Sequence, residues 1–294
     1  MWTYFPTFIE RFGTEEQKQQ FVPSVINDGL LGGFCLTEPE AGSDAKNVQT
    51  SCKKEGDYYI LNGKKHFITV GDVADYLLVV TKADSSSAEK GFNGFIVDTK
   101  TEGVIINKIQ YKMGIKALSS AEILLKDVKV HKKTILGGEN GIGKMLKFAL
   151  KTLDSTRIGT GAQALGIAQN AYNLTLKYSE ERIQFGKPLN ANQGIQWYIA
   201  EMNSKLEMAR LLVHKAAWLE QEGLPFSKEA AQAKLYATKF SKEIVDTAMQ
   251  IHGGRGYMEN YPLERMYRDI RITEIYEGSS EIMKMVIASN ILKK

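Results

Sequence analysis

The chain has 294 residues, 43% of them hydrophobic and 24% charged, a balance that excludes a disordered or collagen-like polypeptide and gives about two domains at roughly 150 residues each. The formal net charge is +4 with no basic block, which excludes a dedicated nucleic-acid arm while suiting an anionic small ligand. The two cysteines, Cys35 and Cys52, and the scattered His66, His131, His214 and His252 exclude a disulfide framework and fit no metal-ligand spacing.

In chain order, Phe8, Ile9 and Phe12, then Phe21, Val22 and Ile26, predict two short helices between Pro6 and Asp28. The start carries a dense apolar cluster, Trp2, Tyr4, Phe5, Phe8 and Ile9, and no basic region followed by an apolar stretch, so no secretory signal is read. From Leu31 to about Val130 the texture changes to β-rich runs: Phe34–Thr37, Asp57–Asn62, Lys65–Val70, Tyr76–Thr81, Phe95–Asp98, Val104–Ile109 and Ala121–Val130. Glu55-Gly56-Asp57, Asn62-Gly63 and Asn93-Gly94 read as turns between them, the last two as tight hairpins, and Ser85–Ser87 as a loop tip. Short strands at this spacing predict an antiparallel sheet or barrel. No apolar run approaches the ~20 residues of a membrane span.

From Gly141 onward the period is helical. One stripe is Met145, Phe148, Ala149 and Thr152; a second is Leu206, Ala209, Leu212, Val213, Ala216 and Ala217; a third is Ala233, Tyr236, Ala237 and Phe240. Gly186-Lys187-Pro188, Gly223-Leu224-Pro225 and Gly253-Gly254 divide this half into about four long helices and a final short one, an up-down bundle. The fold class is therefore α+β, a β domain followed by a four-helix bundle.

Three segments invite a chemical reading. Gly138–Met145 nearly fits the phosphate loop GxxxxGK[ST], but Met145 cannot ligate magnesium, and the stretch reads as a strand-to-helix connection. At Leu36–Asp44 a β-run stops at a turn crowded with hydroxyls and carboxylates, among them Thr37 and Ser43; composition alone favours an ordinary hydrogen-bonded loop. In Ile275–Ile282, Glu277 sits between an apolar pair and a glycine, just before a helix whose N-cap is Ser279 or Ser280. Desolvation by Ile275 and Tyr276 would raise its pKa and the helix N-terminus would lower it, a balance suited either to a general base or to a structural carboxylate.

Taken together the chain resembles the acyl-CoA dehydrogenase family. The resemblance rests on Phe34-Cys-Leu-Thr-Glu-Pro-Glu-Ala-Gly-Ser-Asp44, Phe67-Ile-Thr69, Leu153-Asp-Ser-Thr-Arg157, Arg182-Ile-Gln-Phe-Gly-Lys-Pro188, Gln250-Ile-His-Gly-Gly-Arg-Gly-Tyr257, Glu264–Asp269 and Thr273–Glu281, in the family's order. Ala164–Gly166, Gln193–Tyr198 and Lys284–Val286 look most like its short-chain, butyryl-CoA branch. The family implies FAD shared across a subunit interface of a homotetramer, a dimer of dimers, with electrons passing to an electron-transfer flavoprotein. It implies an oxidoreductase of fatty acid metabolism in the bacterial cytoplasm, or in the mitochondrial matrix of a eukaryote.

On this resemblance Glu277 is the base that takes the α-proton of an acyl-CoA thioester, giving the trans-2-enoyl-CoA. Ser43, Asp154, Arg157 and Gly278 would contact the substrate. The flavin end of FAD would meet Phe34, Leu36, Thr37, Gly42, Ser43, Phe67, Ile68 and Thr69. Its adenosine diphosphate end would meet Arg182, Gln184, Phe185, Gln193, Gln250, Gly253 and Gly254, with Ser279 and Glu281 also near the cofactor. A family branch carries its base in the segment that reads here Leu153–Arg157, but this chain has Thr156 there, which favours Glu277. Val70-Gly71 replaces the usual Asn-Gly after Thr69, and His66 precedes Phe67.

The resemblance divides the chain at 1–30, a remnant of an N-terminal helical domain, 31–135, a β domain, and 136–294, a helical domain. The expectation from length is that most of a first helical domain is missing, with Trp2–Ile9 as its interrupted interior. Two alternatives accompany the dehydrogenase reading: an acyl-CoA oxidase using oxygen, and an incomplete fragment or one subunit of a split enzyme.

Overall fold

The computed structural model describes residues 4–83, 91–109 and 111–292; Trp2 and the Ser85–Ser87 tip lie outside them. The chain divides into two compact units, Met1–Lys112 with Lys116–Thr152, and Met113–Ile115 with Leu153–Lys294.

The first unit opens with helices α1 (Tyr4–Phe12) and α2 (Glu15–Asn27). Thr14 caps α2 in a capping box with Gln17. The same Gln17, buried, donates to the carbonyls of Lys133 and Ile135 and accepts from the Gly137 N–H, so one amide fixes both the cap and the helix's seat. The apolar cluster of α1 packs on the sheet: Phe5, Phe8 and Ile9 are fully buried, and Phe8 lies 4.6 Å from the Phe34 ring. Gly32 permits this, because a Cβ there would stand 2.1 Å from the Phe5 ring.

The sheet contains β1 (Gly32–Cys35), β2 (Ser51–Glu55), β3 (Tyr58–Thr69), β4 (Tyr76–Ala83), β5 (Phe92–Asp98), β6 (Val104–Ile109) and β7 (Ser120–His131). Their order is β1-β4-β2-β3-β7-β6, with β5 also on β4. Pairing is antiparallel as expected except at β4, which pairs in parallel with β1 through Tyr76–Val79 and with β2 through Lys82 and Ala83. The core lies under Cys35, Tyr59, Leu61, Ile68, Leu77, Val79, Phe95, Ile123 and Val128.

Glu55-Gly56-Asp57 does turn β2 into β3, with Gly56 at φ +62°. The two Asn-Gly hairpins expected from sequence are corrected: both pairs lie inside strands. Gly63 sits in β3 where a Cβ would stand 2.5 Å from the Thr50 hydroxyl, and Gly94 in β5 where it would stand 2.4 Å from the Met145 sulfur. These glycines admit a neighbour, not a reversal. Asn93 is fully buried, its amide spanning the Cys52 sulfur and the Gly143 N–H. The Gly138–Met145 stretch is the expected connection, leading into a long helix.

That helix, α3 (Met145–Glu181), begins in the first unit and runs on in the second, followed by a small hairpin β8 (Ile183–Gln184) and β9 (Lys187–Pro188). Then come α4 (Gln193–Gln221), α5 (Ser227–His252), α6 (Pro262–Ile270) and α7 (Ser280–Leu292). Three helices are long, not four, because 3₁₀ turns at Gly253–Tyr257 and Arg271–Glu274 confine α6 to nine residues. The bundle core is rich in alanine: Ala164, Ala168, Ala171, Ala209, Ala216, Ala230, Ala233, Ala237 and Ala248 are all fully buried, which lets the helix axes approach closely. Met113–Ile115 belongs to this unit, since Arg268 donates to the Met113 carbonyl and the Ile115 N–H to Asp269. Among the described residues no helix is long and apolar enough to cross a membrane, and no group of His, Cys, Asp and Glu is placed to hold a metal ion.

Candidate active site

In the second unit, the loop between the Arg271–Glu274 turn and α7 carries two successive residues in the left-handed region, Glu277 at φ +59° and Gly278 at φ +94°. For a non-glycine residue this conformation is strained and persists only where the surroundings impose it. The surroundings are identifiable. The Thr156 hydroxyl on α3 donates to the Glu277 carboxylate at 2.9 Å, and Arg157 Nε donates to the Glu277 carbonyl at 3.4 Å. Lys234 Nζ on α5 donates to the Gly278 carbonyl at 2.7 Å. Tyr276 donates to Gln163 at 2.6 Å, and Ser279 accepts from the Ile282 N–H as the cap of α7.

Several of these groups titrate away from their ordinary range. Burial pushes the Asp154 carboxyl up, against the Arg157 guanidinium at 2.5 Å. Burial, reinforced by Glu277, pushes the Tyr276 hydroxyl up. Burial pushes Lys234 down to about 8, against the attraction of Glu277 and Glu274. Arg157 is 4% exposed, its donors directed at Asp154 and the base loop. Of the apolar pair expected to cover Glu277, Tyr276 is half-buried whereas Ile275 is exposed.

The first unit assembles a second group of candidate residues where β1 and β3 end. Beyond β1, Glu38 and Ala41 close a tight turn. Glu38 is buried and accepts from Lys65 Nζ at 2.7 Å, from the Thr50 hydroxyl at 2.5 Å, and from the N–H groups of Gln49 and Thr50. Burial pushes Glu38 up, but Lys65 and these hydrogen bonds outweigh it and hold the carboxyl below its usual range. Lys65 also donates to the Leu36 carbonyl, and the His66 N–H to the Thr37 carbonyl, so the turn is fastened to β3 on either side of Thr37.

Next along β3, a break in register between Lys65 and Ile68 turns Phe67 outward at φ +56°, 63% exposed. Ile68 is buried in the core, Thr69 ends the strand half-buried, and Val70 follows at φ +54°. Phe34 packs between the rings of Tyr4 and Phe8, and Leu36 is half-buried. Gly42 and Ser43 lie exposed.

A third group is built in the second unit at the ends of α3 and α5. The Tyr178 ring stacks on His252 at 4.2 Å, joining the last turns of α3 and α5, after which Arg182 and Gly253 follow in the chain. Arg182 is half-buried; Gln184, Gln193, Gln250, Gly253 and Gly254 are exposed, with open space around both glycines. Phe185, at φ +52°, is 95% exposed. Glu281 is exposed on α7, and its own N–H and Ser279 hold its carboxyl low.

The donor sets fit FAD. An exposed aromatic ring on strained backbone, two residues before Thr69, suits a planar heteroaromatic with polar edges, and in the second unit a guanidinium with amides and an open Gly-Gly backbone suits a diphosphate.

Two contributors escaped sequence reasoning. Lys234 belongs to the fully buried run Ala230, Ala231, Ala233, Lys234, Ala237 and Thr238, whereas Tyr236 of the expected stripe is 40% exposed. The signal was there: a lysine amid alanines on a helix face. The pairing of Glu38 with Lys65 joins the turn after β1 to β3 and leaves no local pattern.

A family model described as acyl-CoA dehydrogenase, middle domain matches residues 33–128, and one described as acyl-CoA dehydrogenase, C-terminal domain matches residues 143–292. The chain is 48% identical over 291 residues to acryloyl-CoA reductase (NADH) of Anaerotignum propionicum, covering 98% of this chain and 73% of that protein. It is 45% identical to the caffeyl-CoA reductase-Etf complex subunit CarC of Acetobacterium woodii, covering 96% and 74%. Among solved structures, butyryl-CoA dehydrogenase from Megasphaera elsdenii superposes with a TM-score of 0.93 at 44% identity, covering 98% and 75%. Glutaryl-CoA dehydrogenase from Mycobacterium smegmatis in complex with FADH2 superposes at 0.92 with 29% identity, covering 99% and 73%.

Proposed function

The chain belongs to the acyl-CoA dehydrogenase family, an FAD-dependent family of oxidoreductases, and from this premise we propose that it interconverts a short-chain acyl-CoA thioester and its trans-2-enoyl-CoA. The observation that carries the reading is the Glu277 carboxylate, held by Thr156 on a loop whose two strained residues are fixed by Arg157 and Lys234.

Glu277 takes the α-hydrogen as a proton while the β-hydrogen departs as hydride. FAD, when bound, supplies the acceptor for that hydride. The α-proton becomes acidic enough only if the developing negative charge on the thioester oxygen is stabilised, a task assigned here to the Glu277 N–H. Gly278, at φ +94°, lets the chain after the base take a backbone path that any side chain would strain. Thr37, Phe67 and Thr69, with neighbouring backbone, would hold the flavin; Arg182, Gln184, Gln193, Gln250 and the Gly253-Gly254 amides would hold the diphosphate end. Asp154, Arg157 and Gly278 would line the thioester site in the second unit, Asp154 and Arg157 acting through the base loop that Arg157 holds; the family resemblance adds Ser43 as a substrate contact.

The direction of net flux has two readings. Likeness to butyryl-CoA dehydrogenase favours oxidation, and the family resemblance adds transfer to an electron-transfer flavoprotein and assembly as a homotetramer. Likeness to acryloyl-CoA reductase and to the caffeyl-CoA reductase-Etf subunit favours the reverse, in which Glu277 returns the proton to the α-carbon. Both use the same residues.

The test is anaerobic mixing of the FAD-loaded protein with butyryl-CoA, and of the reduced protein with crotonyl-CoA, followed by exposure to air. Bleaching by butyryl-CoA that persists in air supports the proposal; no response to either thioester overturns it, and rapid reoxidation by oxygen alone identifies an oxidase. Glu277→Gln should keep flavin and thioester binding and lose roughly a thousandfold in turnover. Turnover within tenfold of the parent would place the base elsewhere.

A further inference from the structure

Lys65 and Lys234 are both fully buried lysines, and the fold treats them differently. Lys65 has a carboxylate partner in Glu38, whereas the hydrogen bond of Lys234 goes to a backbone carbonyl, that of Gly278. Removing an ammonium from water is costly, and a carbonyl dipole repays less of that cost than a carboxylate does. A lysine is kept in such a place where its charge or its reach serves the group it touches.

The group it touches is the base loop. In the left-handed conformation, Glu277 and Gly278 present successive carbonyls that no helix or strand satisfies, and each is taken by a cation, the first by Arg157 from α3 and the second by Lys234 from α5. The side chains that interact electrostatically with Lys234 are Glu277, Glu274 and Glu281 on the loop and its flanks and Arg157 on α3. Lys234 therefore anchors the peptide that follows Glu277 and adds positive potential where Glu277 carries its charge.

Resting on the reading of Glu277 as the base, we propose that Lys234 is a positioning residue for it: its ammonium fixes the Gly278 carbonyl, holds the Glu277–Gly278 loop in its left-handed form and favours the ionised carboxylate. Deprotonation of Lys234, which burial moves down to about 8, would release part of this hold toward alkaline pH.

The test compares FAD-loaded parent, Lys234→Met and Glu277→Gln proteins. Lys234→Met keeps the length and apolar stem and removes the charge. The expected result is a fall in kcat of about tenfold to a hundredfold with KM for butyryl-CoA changed less than about threefold. The acid limb of the kcat profile should move to higher pH, and amide exchange at Gly278, Ser279 and Ser280 should quicken. An unmoved acid limb with parental exchange overturns the proposal whatever happens to kcat, as does a raised KM with kcat kept. Should Lys234→Met fail to accumulate folded, Lys234→Gln is measured by the same two criteria. Glu277→Gln separates this proposal from its premise. If that variant retains turnover, the base reading falls; if it is inactive while Lys234→Met behaves as the parent, only the role of Lys234 falls.

Discussion

Glu277 was legible in the sequence because a carboxylate followed by Gly278 and two serines announces a helix start with a backbone-permissive residue before it. Its conformation was not, since nothing local says that the residue before the glycine also adopts positive φ. Gly278 can be tested directly. At φ +94° an alanine is strained, and its methyl would stand 2.6 Å from the end of the Met283 side chain, which can move aside. Gly278→Ala should therefore cost about 1–2 kcal/mol, mostly backbone strain, seen as a Tm lower by about 2–8 °C. A Tm equal to the parent's would mean that the loop relaxes freely. Lys234 is the harder case: its burial was readable from its alanine neighbours, but its target lies on the base loop, and no local pattern joins positions 234 and 278.

Elements were recovered more fully than the joints between them. The β-texture and the helical texture are visible because their periods differ, and the strands from Tyr76 and Val104 begin where the β-rich runs put them. The Asn-Gly pairs misled because the dipeptide that closes hairpins is also the one tolerated where a strand must admit a neighbour: Gly63 accommodates Thr50, and Gly94 accommodates Met145. The bundle was legible, but the number of long helices in it overshot because the segment after Gly253-Gly254 holds enough helix formers for one long element yet folds as a short helix between two 3₁₀ turns.

The ion pair joining the turn after β1 to β3 gives a prediction at this scale. Lys65→Met leaves Glu38 buried without its cation, and should cost about 3–5 kcal/mol in urea unfolding. Pairing it with Glu38→Gln should restore part of the loss. Equal losses in the single and double variants would show that hydrogen bonds to Thr50 and Gln49, not the charge pair, hold the turn.

For the molecule as a whole, stability should depend on acidity in two windows. His252 is buried against Tyr178, and burial lowers its pKa below the ordinary 6.5. The unfolded chain therefore takes up a proton near pH 6.5 that the folded chain refuses, and stability declines as the pH falls below that value. Glu38, held below its ordinary 4.5, adds a second decline as the pH falls further, because protonating it surrenders the Lys65 pair. Tm should fall between pH 7 and 5 and fall again below about pH 4.5; replacing His252 with glutamine should flatten only the first step. A flat Tm across pH 7 to 5 in the parent would remove His252 from this role.

The partnering of β4 carries a consequence for how the first unit is built in time. β2–β3 and β4–β5 join neighbours in the chain, whereas β1 finds its hydrogen-bonded partner only in β4, with Gly32 opposite Tyr76. Closing that long loop is entropically expensive until β4 already stands. The local hairpins should therefore form first, and β1 should dock late, bringing with it α1 through the seat of Phe5 on Gly32 and the turn that holds Thr37. The Thr37 turn assigned to the flavin would then be assembled after β3, which carries Phe67 and Thr69, and by the same logic would be the first to open.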